Sequence, residues 1–320
     1  MASEPSSTAD ASGANRGLKM VWRIVQFPAI RILLALIFVG AGAALAQSLL
    51  LNAGGTWDGQ PVARIIANAA GVLVVGIVYV LYVRLIERRR AAELAVHPGW
   101  TELLIGMAVG AVLIGVTILV LWLLGYYQVT GTNSPAILTR ASVIGIVSAF
   151  TEEVIFRAIV YRISEEALGT WLALLVSALV FGLVHLASPG ATVFTSVAIA
   201  LEAGLLLAAM YTWTRRLWMS VGAHFAWNFM QGDIFGVAVS GNEAQGLLRS
   251  RLTGPELLTG DAFGAEASII AVIVSLFAFG YYLARIIRQG KVVSPMWRRT
   301  VQTEAASEAL TERKAEYARK

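Results

Sequence analysis

The chain has no cysteine, only three histidines, and few charged residues (14% Asp, Glu, Lys and Arg together). Without cysteine there is no disulfide framework, thiol nucleophile, thiolate metal site or S-palmitoylation. A soluble domain carries about 25% charged and about 45–50% apolar residues. Here 57% of the 320 residues are hydrophobic and the mean hydropathy is +0.70. So little charge on so apolar a chain excludes an ordinary soluble enzyme and indicates a multi-pass integral membrane protein. No period of 20–50 residues marks a repeat protein.

Long apolar runs are present in abundance. Eight are candidate spans: 32–51, 65–83, 102–126, 136–163, 170–186, 192–213, 217–230 and 267–287. The expected fold is all-α, a polytopic bundle of about eight transmembrane helices around a polar intramembrane cavity. Residues 1–31 are expected to be largely disordered, 32–290 to form the membrane domain with its core at 136–230, and 291–320 to be a polar tail. The start of the chain is Ser- and Ala-rich without an apolar core, so no cleavable signal peptide is expected.

Lys and Arg gather beside apolar runs. Arg31, Arg84, Arg88 to Arg90, Arg162, Arg215, Arg216, Arg285 and Arg288 all fall on one side of an eight-span bundle, with Arg64, Arg140, Arg249 and Arg251 opposite. This bias places both termini in the cytoplasm. It also accounts for the net charge of +5 without a nucleic-acid partner. Short loops and an Ala-rich tail suggest a bacterial plasma membrane, and the lipid bilayer is the expected surroundings.

Against this background, Glu152, Glu153 and Arg157 are anomalous. An ionised group at bilayer depth costs at least about 2.5–3.5 kcal/mol, so such residues are rare and usually functional. Glu153 and Arg157 are spaced i,i+4 and can pair along one helix face, whereas Glu152 lies about 100° round the helix and stays available for proton chemistry. Two of the three histidines follow on separate apolar runs: His185, one turn after Phe181, and His224, one turn before Asn228. Each alone reads as interhelical packing. Together they suggest a carboxylate and an imidazole that activate water, with two donors for an oxyanion.

In order and spacing, Glu152-Glu153-x-x-x-Arg157, Phe181-x-x-x-His185 and His224-x-x-x-Asn228 resemble the motifs of the CAAX protease and bacteriocin-processing family of intramembrane proteases (type II CAAX prenyl endopeptidases). The resemblance implies an eight-helix fold that hydrolyses a peptide bond of a membrane-associated peptide or protein. Carried over, Glu152 and His185 activate the water, His224 and Asn228 hold the oxyanion, and Glu153, Arg157 and Phe181 support the site. The family's metal requirement is disputed. A divalent ion such as zinc would find three protein ligands in Glu152, His185 and His224, yet no histidine is followed by Glu as in the H-E-x-x-H helix of common zinc proteases. Glutamate-dependent hydrolysis without an obligatory cofactor is the expectation.

Other readings use the same residues or fail on them. Asp10, Asp58, Asp233 and Asp261 all lie outside the spans, which excludes a membrane aspartyl protease. Ala238 stands where a Gly-x-Ser-Gly nucleophile turn at Ser240 needs glycine. An ion- or proton-coupled transporter built on Glu152, Glu153, His185 and Glu202 is the alternative. The loop 231–266 reads as a lid, a re-entrant segment or a plain connection. Gly106 and Gly110 read as a close-packing pair rather than a dimer contact.

Overall fold

The computed structural model describes residues 17, 19–54 and 61–299. The expected disordered start and polar tail fall mainly on residues 1–16 and 300–320, outside the described residues. Backbone polar groups have no water to bond in hydrocarbon, so apolar runs of this length become helices. Six are long and apolar enough to cross a membrane: Pro28–Ser48, Asn68–Glu87, Gly99–Leu123, Gly145–Ala187, Val193–Thr214 and Ile269–Arg288. The helices relevant to the site are α1 (Pro28–Gly54), α2 (Pro61–Tyr82), α3 (Gly99–Leu123), α4 (Leu138–Glu153), α5 (Arg162–Val184), α6 (Val193–Ile199), α7 (Leu205–Thr214), α8 (Trp218–Asn228) and α9 (Ile269–Arg288). Proline opens α1 and α2, where its missing N–H costs nothing. Ser268 caps α9 by accepting from Ala271 N at 3.0 Å.

The count departs from the expected eight at two places. The expected spans 136–163 and 170–186 merge, with residues 145–163 of the first and all of the second in one continuous helical unit of 43 residues, Gly145–Ala187. Its only break is at Gly169 (φ 78°, ψ 170°), where Thr170 N donates to Val293 O at 3.0 Å and Val293 N returns a bond to Thr170 Oγ1 at 2.8 Å. The expected span 217–230 holds only an 11-residue α-helix, α8, because the chain continues into a wide π turn at Phe229–Ile234.

The all-α expectation needs a second correction. Tyr127–Thr132 (β1) and Leu248–Leu252 (β2) form a two-stranded antiparallel ribbon, pairing Gln128 with Arg251 and Val129 with Ser250. This ribbon ties the loop 231–266 to the end of α3.

Close backbone approach sets α8 against α3. A Cβ on Gly106 would lie 2.1 Å from Met219 O, and one on Gly110 would lie 2.2 Å from Ala223 O. The small-residue pair therefore serves packing within the chain. Many of the arginines that mark the expected cytoplasmic side are bound rather than free. Arg31 and Arg162 share Glu87 and Glu166, Arg89 bonds Glu87 and Glu93, Arg215 bonds Glu165, and Arg216 bonds Glu102. Burial alone would raise the Glu93 carboxyl, but Arg89, Arg162 and the Tyr79 hydroxyl hold it below its ordinary range.

Candidate active site

The site grows from the end of α4. Ser148, one turn before Glu152, donates to Glu152 Oε1 at 2.8 Å. Glu152 keeps 29% of its side chain exposed, whereas Glu153 and Arg157 are fully buried. Arg157 Nη1 donates to Glu153 Oε1 at 2.8 Å, its Nη2 donates to Ala203 O at 2.8 Å, and the guanidinium lies 4.6 Å from the Phe181 ring. Neighbouring glutamates thus have different surroundings: one is consumed by an ion pair and one faces open space.

Arg157 sits in a π turn, Val154–Tyr161, that directly follows Glu153. Another π turn, Ala200–Gly204, carries Glu202, and a further one follows Asn228. Such widened turns recur at functional sites because they redirect side chains that a regular helix would stack.

His185 stands at the end of α5, where the helix tightens into a 3₁₀ turn. Its Nδ1 is 2.7 Å from Phe181 O. A carbonyl only accepts, so Nδ1 carries the proton and Nε2 is left with the lone pair. On α8, His224 Nδ1 donates to Glu153 Oε1 at 2.9 Å, and its Nε2 lies 3.8 Å from Glu152 Oε2, beyond hydrogen-bonding distance. Asn228 is only partly buried, and its carboxamide makes no protein hydrogen bond among the described residues.

Three cavities meet at Asn228. The innermost, about 40 Å³, is lined by His185, Glu202, His224, Asn228, Ser240 and Glu266. A water needs about 10–15 Å³ measured this way, so it has room for a few. A groove of about 520 Å³ holds Ser148, Glu152 and His185 against apolar walls that include Leu36 and Ile155. A third space, of about 850 Å³, opens past Asn133 and Asp233. Burial pushes the half-buried Asp233 carboxyl up to about 6.

Phe181, His185, Glu202, His224 and Asn228 thus line the inner cavity and Glu152 the groove, while Glu153 and Arg157 are buried and line none of the three spaces. Sequence reasoning missed Ser148, Gln231, Ser240 and Glu266. Ser148 and Gln231 had a signal, since each lies four residues from a partner, Glu152 and Trp227 respectively. Ser240 and Glu266 had none, because they lie 26 positions apart with β2 between them. Among the described residues no group of three or more His, Asp or Glu side chains converges as metal ligands. The expected set of Glu152, His185 and His224 does not converge on one point in this arrangement, although Glu153 takes only Nδ1 of His224 and leaves Nε2 open, as a carboxylate behind a metal-bound histidine would.

Six membrane-length helices and an interior cluster of carboxylates and imidazoles fit an integral multi-pass membrane protein with a chemical site. Residues 134–230 match the family model described as type II CAAX prenyl endopeptidase, Rce1-like, which bears out the motif resemblance over that segment. No curated protein and no solved structure matches the chain. The match supports a protease whose substrate is a peptide or protein in the membrane.

Proposed function

We propose that this chain is an intramembrane endopeptidase in which Glu152 and His185 activate the attacking water. The observation that carries the reading is the unequal fate of the paired glutamates. Glu153 is spent on Arg157 and His224, while Glu152 stays partly exposed in the groove that also holds His185. Water gives a proton to Glu152 or to His185 Nε2, and its oxygen bonds to the scissile carbonyl carbon. The carbonyl oxygen takes up negative charge, which the Asn228 amide and a protonated His224 Nε2 stabilise by hydrogen bonds. The C–N bond then breaks and the held proton passes to the leaving amine. Glu153, Arg157 and Phe181 support this arrangement by fixing His224 and His185.

The substrate is a membrane-associated peptide or protein, and the positive-charge bias supports cytoplasmic termini. The transporter alternative draws on the buried Glu202. Against it, the inner cavity is small and Arg157, next to Glu202, is locked to Ala203 O. The test is cleavage of a membrane-associated peptide by purified protein, comparing wild type with Glu152→Ala and His185→Ala. Loss of cleavage in both, with activity kept after exhaustive chelation, is the expected result. Normal cleavage by both variants removes the mechanism. No cleavage by any form, with proton flux in liposomes that depends on Glu152, favours the transporter.

A further inference from the structure

Glu266 lies outside the family-matched segment, yet it faces the same inner cavity as His185, His224 and Asn228. It is buried, and its hydrogen-bond partners are all neutral. Ser240 N and Ser240 Oγ donate to Glu266 Oε1 at 2.7 and 2.9 Å, and Gln231 Nε2 donates to Oε2 at 3.1 Å. Gln231 in turn donates to Ala238 O at 2.6 Å and accepts from Trp227 Nε1 at 3.1 Å. Trp227 immediately precedes Asn228. One carboxylate therefore ties together the turn 237–242, the π turn after α8 and the residue beside the oxyanion donor.

The turn is also held against its own preference. Ser240 has φ 47°, a left-handed conformation that a residue other than glycine keeps only where its surroundings enforce it. Neighbouring backbone closes in from both sides. A Cβ on Gly241 would lie 1.7 Å from Pro189 O, and one on Gly264 would lie 2.0 Å from Ala238 O. Ser240 lines both the inner cavity and the groove that holds Glu152, so it stands between the two spaces.

We propose that Glu266 is a positioning residue for the hydrolytic site, clamping the Ser240 turn and, through Gln231 and Trp227, the helix that presents Asn228. The proposal rests on the endopeptidase reading above. Ser240 spends its donors on Glu266, so it acts as a wall and not as a nucleophile. A glutamine at 266 keeps the size but turns an amide toward the Gln231 amide, two donors face to face, and the clamp opens.

The chain has no native cysteine, so a thiol can report on the clamp without catalysis. Val239→Cys on the groove wall is labelled with a charged thiol reagent, alone and combined with Glu266→Gln. Cleavage of a membrane peptide is measured for wild type and Glu266→Gln, with melting curves to establish that both are folded. The expected result is labelling at least tenfold faster in the Glu266→Gln background, with kcat at least tenfold lower and KM within twofold of wild type. Glu266→Gln should add no further loss to the residual rate of Glu152→Ala, because it acts through that chemistry. Unchanged labelling overturns the clamp. Faster labelling with unchanged kcat overturns the positioning role, as does a loss of rate that only tracks the folded fraction. A folded wild type that cleaves nothing removes the endopeptidase reading and the positioning role with it, while the labelling ratio still reports the clamp.

Discussion

Replacing Arg157 by alanine tests whether the ion pair beside Glu152 supports the site. Arg157 and Glu153 are both fully buried, and the guanidinium serves Glu153 and Ala203 O at 2.8 Å each while lying over Phe181. Arg157→Ala leaves a buried carboxylate with His224 as its one remaining side-chain partner and a carbonyl without its donor. Removing one member of a buried pair costs about 3–5 kcal/mol. At about 1.4 kcal/mol per factor of ten, this shifts the folding equilibrium by roughly 100- to 4,000-fold. The double variant Glu153→Gln/Arg157→Met removes both charges at similar volume, and should recover much of that stability while His224 loses its charged partner. The assay is reversible unfolding in mixed micelles, followed by the fluorescence of the nine tryptophans. Arg157→Ala within about 1 kcal/mol of wild type, or a double variant as unstable as the single one, would refute the reasoning.

Three further outcomes follow from the geometry. Asn228→Ala should lower kcat by about 10²–10³-fold with little change in KM, the usual cost of one oxyanion donor, as steady-state kinetics will measure. Gly110→Ala puts a Cβ 2.2 Å from Ala223 O, one residue before His224, so α3 and α8 must separate by about 1.2 Å to reach an ordinary 3.4 Å contact. A shift of that size costs about 10²-fold in rate, whereas Gly115→Ala on the same helix meets nothing within 4 Å and should be silent. Asp233 has its carboxyl raised to about 6 from an ordinary 3.8, so the protonated form is favoured on folding. Its stabilising contribution is complete below about pH 4 and lost as pH rises through about 6. Asp233→Asn should therefore melt above wild type at pH 7.5, and the difference should vanish near pH 4.

Much of the site was legible because it is written in local spacing. The i,i+4 interval of Glu153 and Arg157 placed their ion pair, and the turn of about 100° between adjacent residues separated Glu152 from it. Apolar run length marked the long helices. The kink at Gly169 was not legible as a break within one continuous unit, since it depends on Val293, more than 120 residues away. The ribbon pairs Gln128 with Arg251 through segments of six and five residues, whose alternation, as in Leu248-Arg249-Ser250-Arg251-Leu252, is too brief to stand out beside the long apolar runs. The π turns carry no residue signature that the sequence reading could use, and the one at Phe229–Ile234 ends α8 short of the expected span. Glu266 reaches the cavity only because the loop folds back across it.

If Glu152 delivers water to a peptide bond, the new carboxylate takes one oxygen from solvent. Single-turnover cleavage of a membrane-embedded peptide in H₂¹⁸O, read by mass spectrometry, tests it most directly. Wild-type protein should place one ¹⁸O in the new C-terminal carboxylate, and folded Glu152→Gln should leave only a residual rate. Product formed at the wild-type rate by Glu152→Gln, or product free of ¹⁸O, would contradict it.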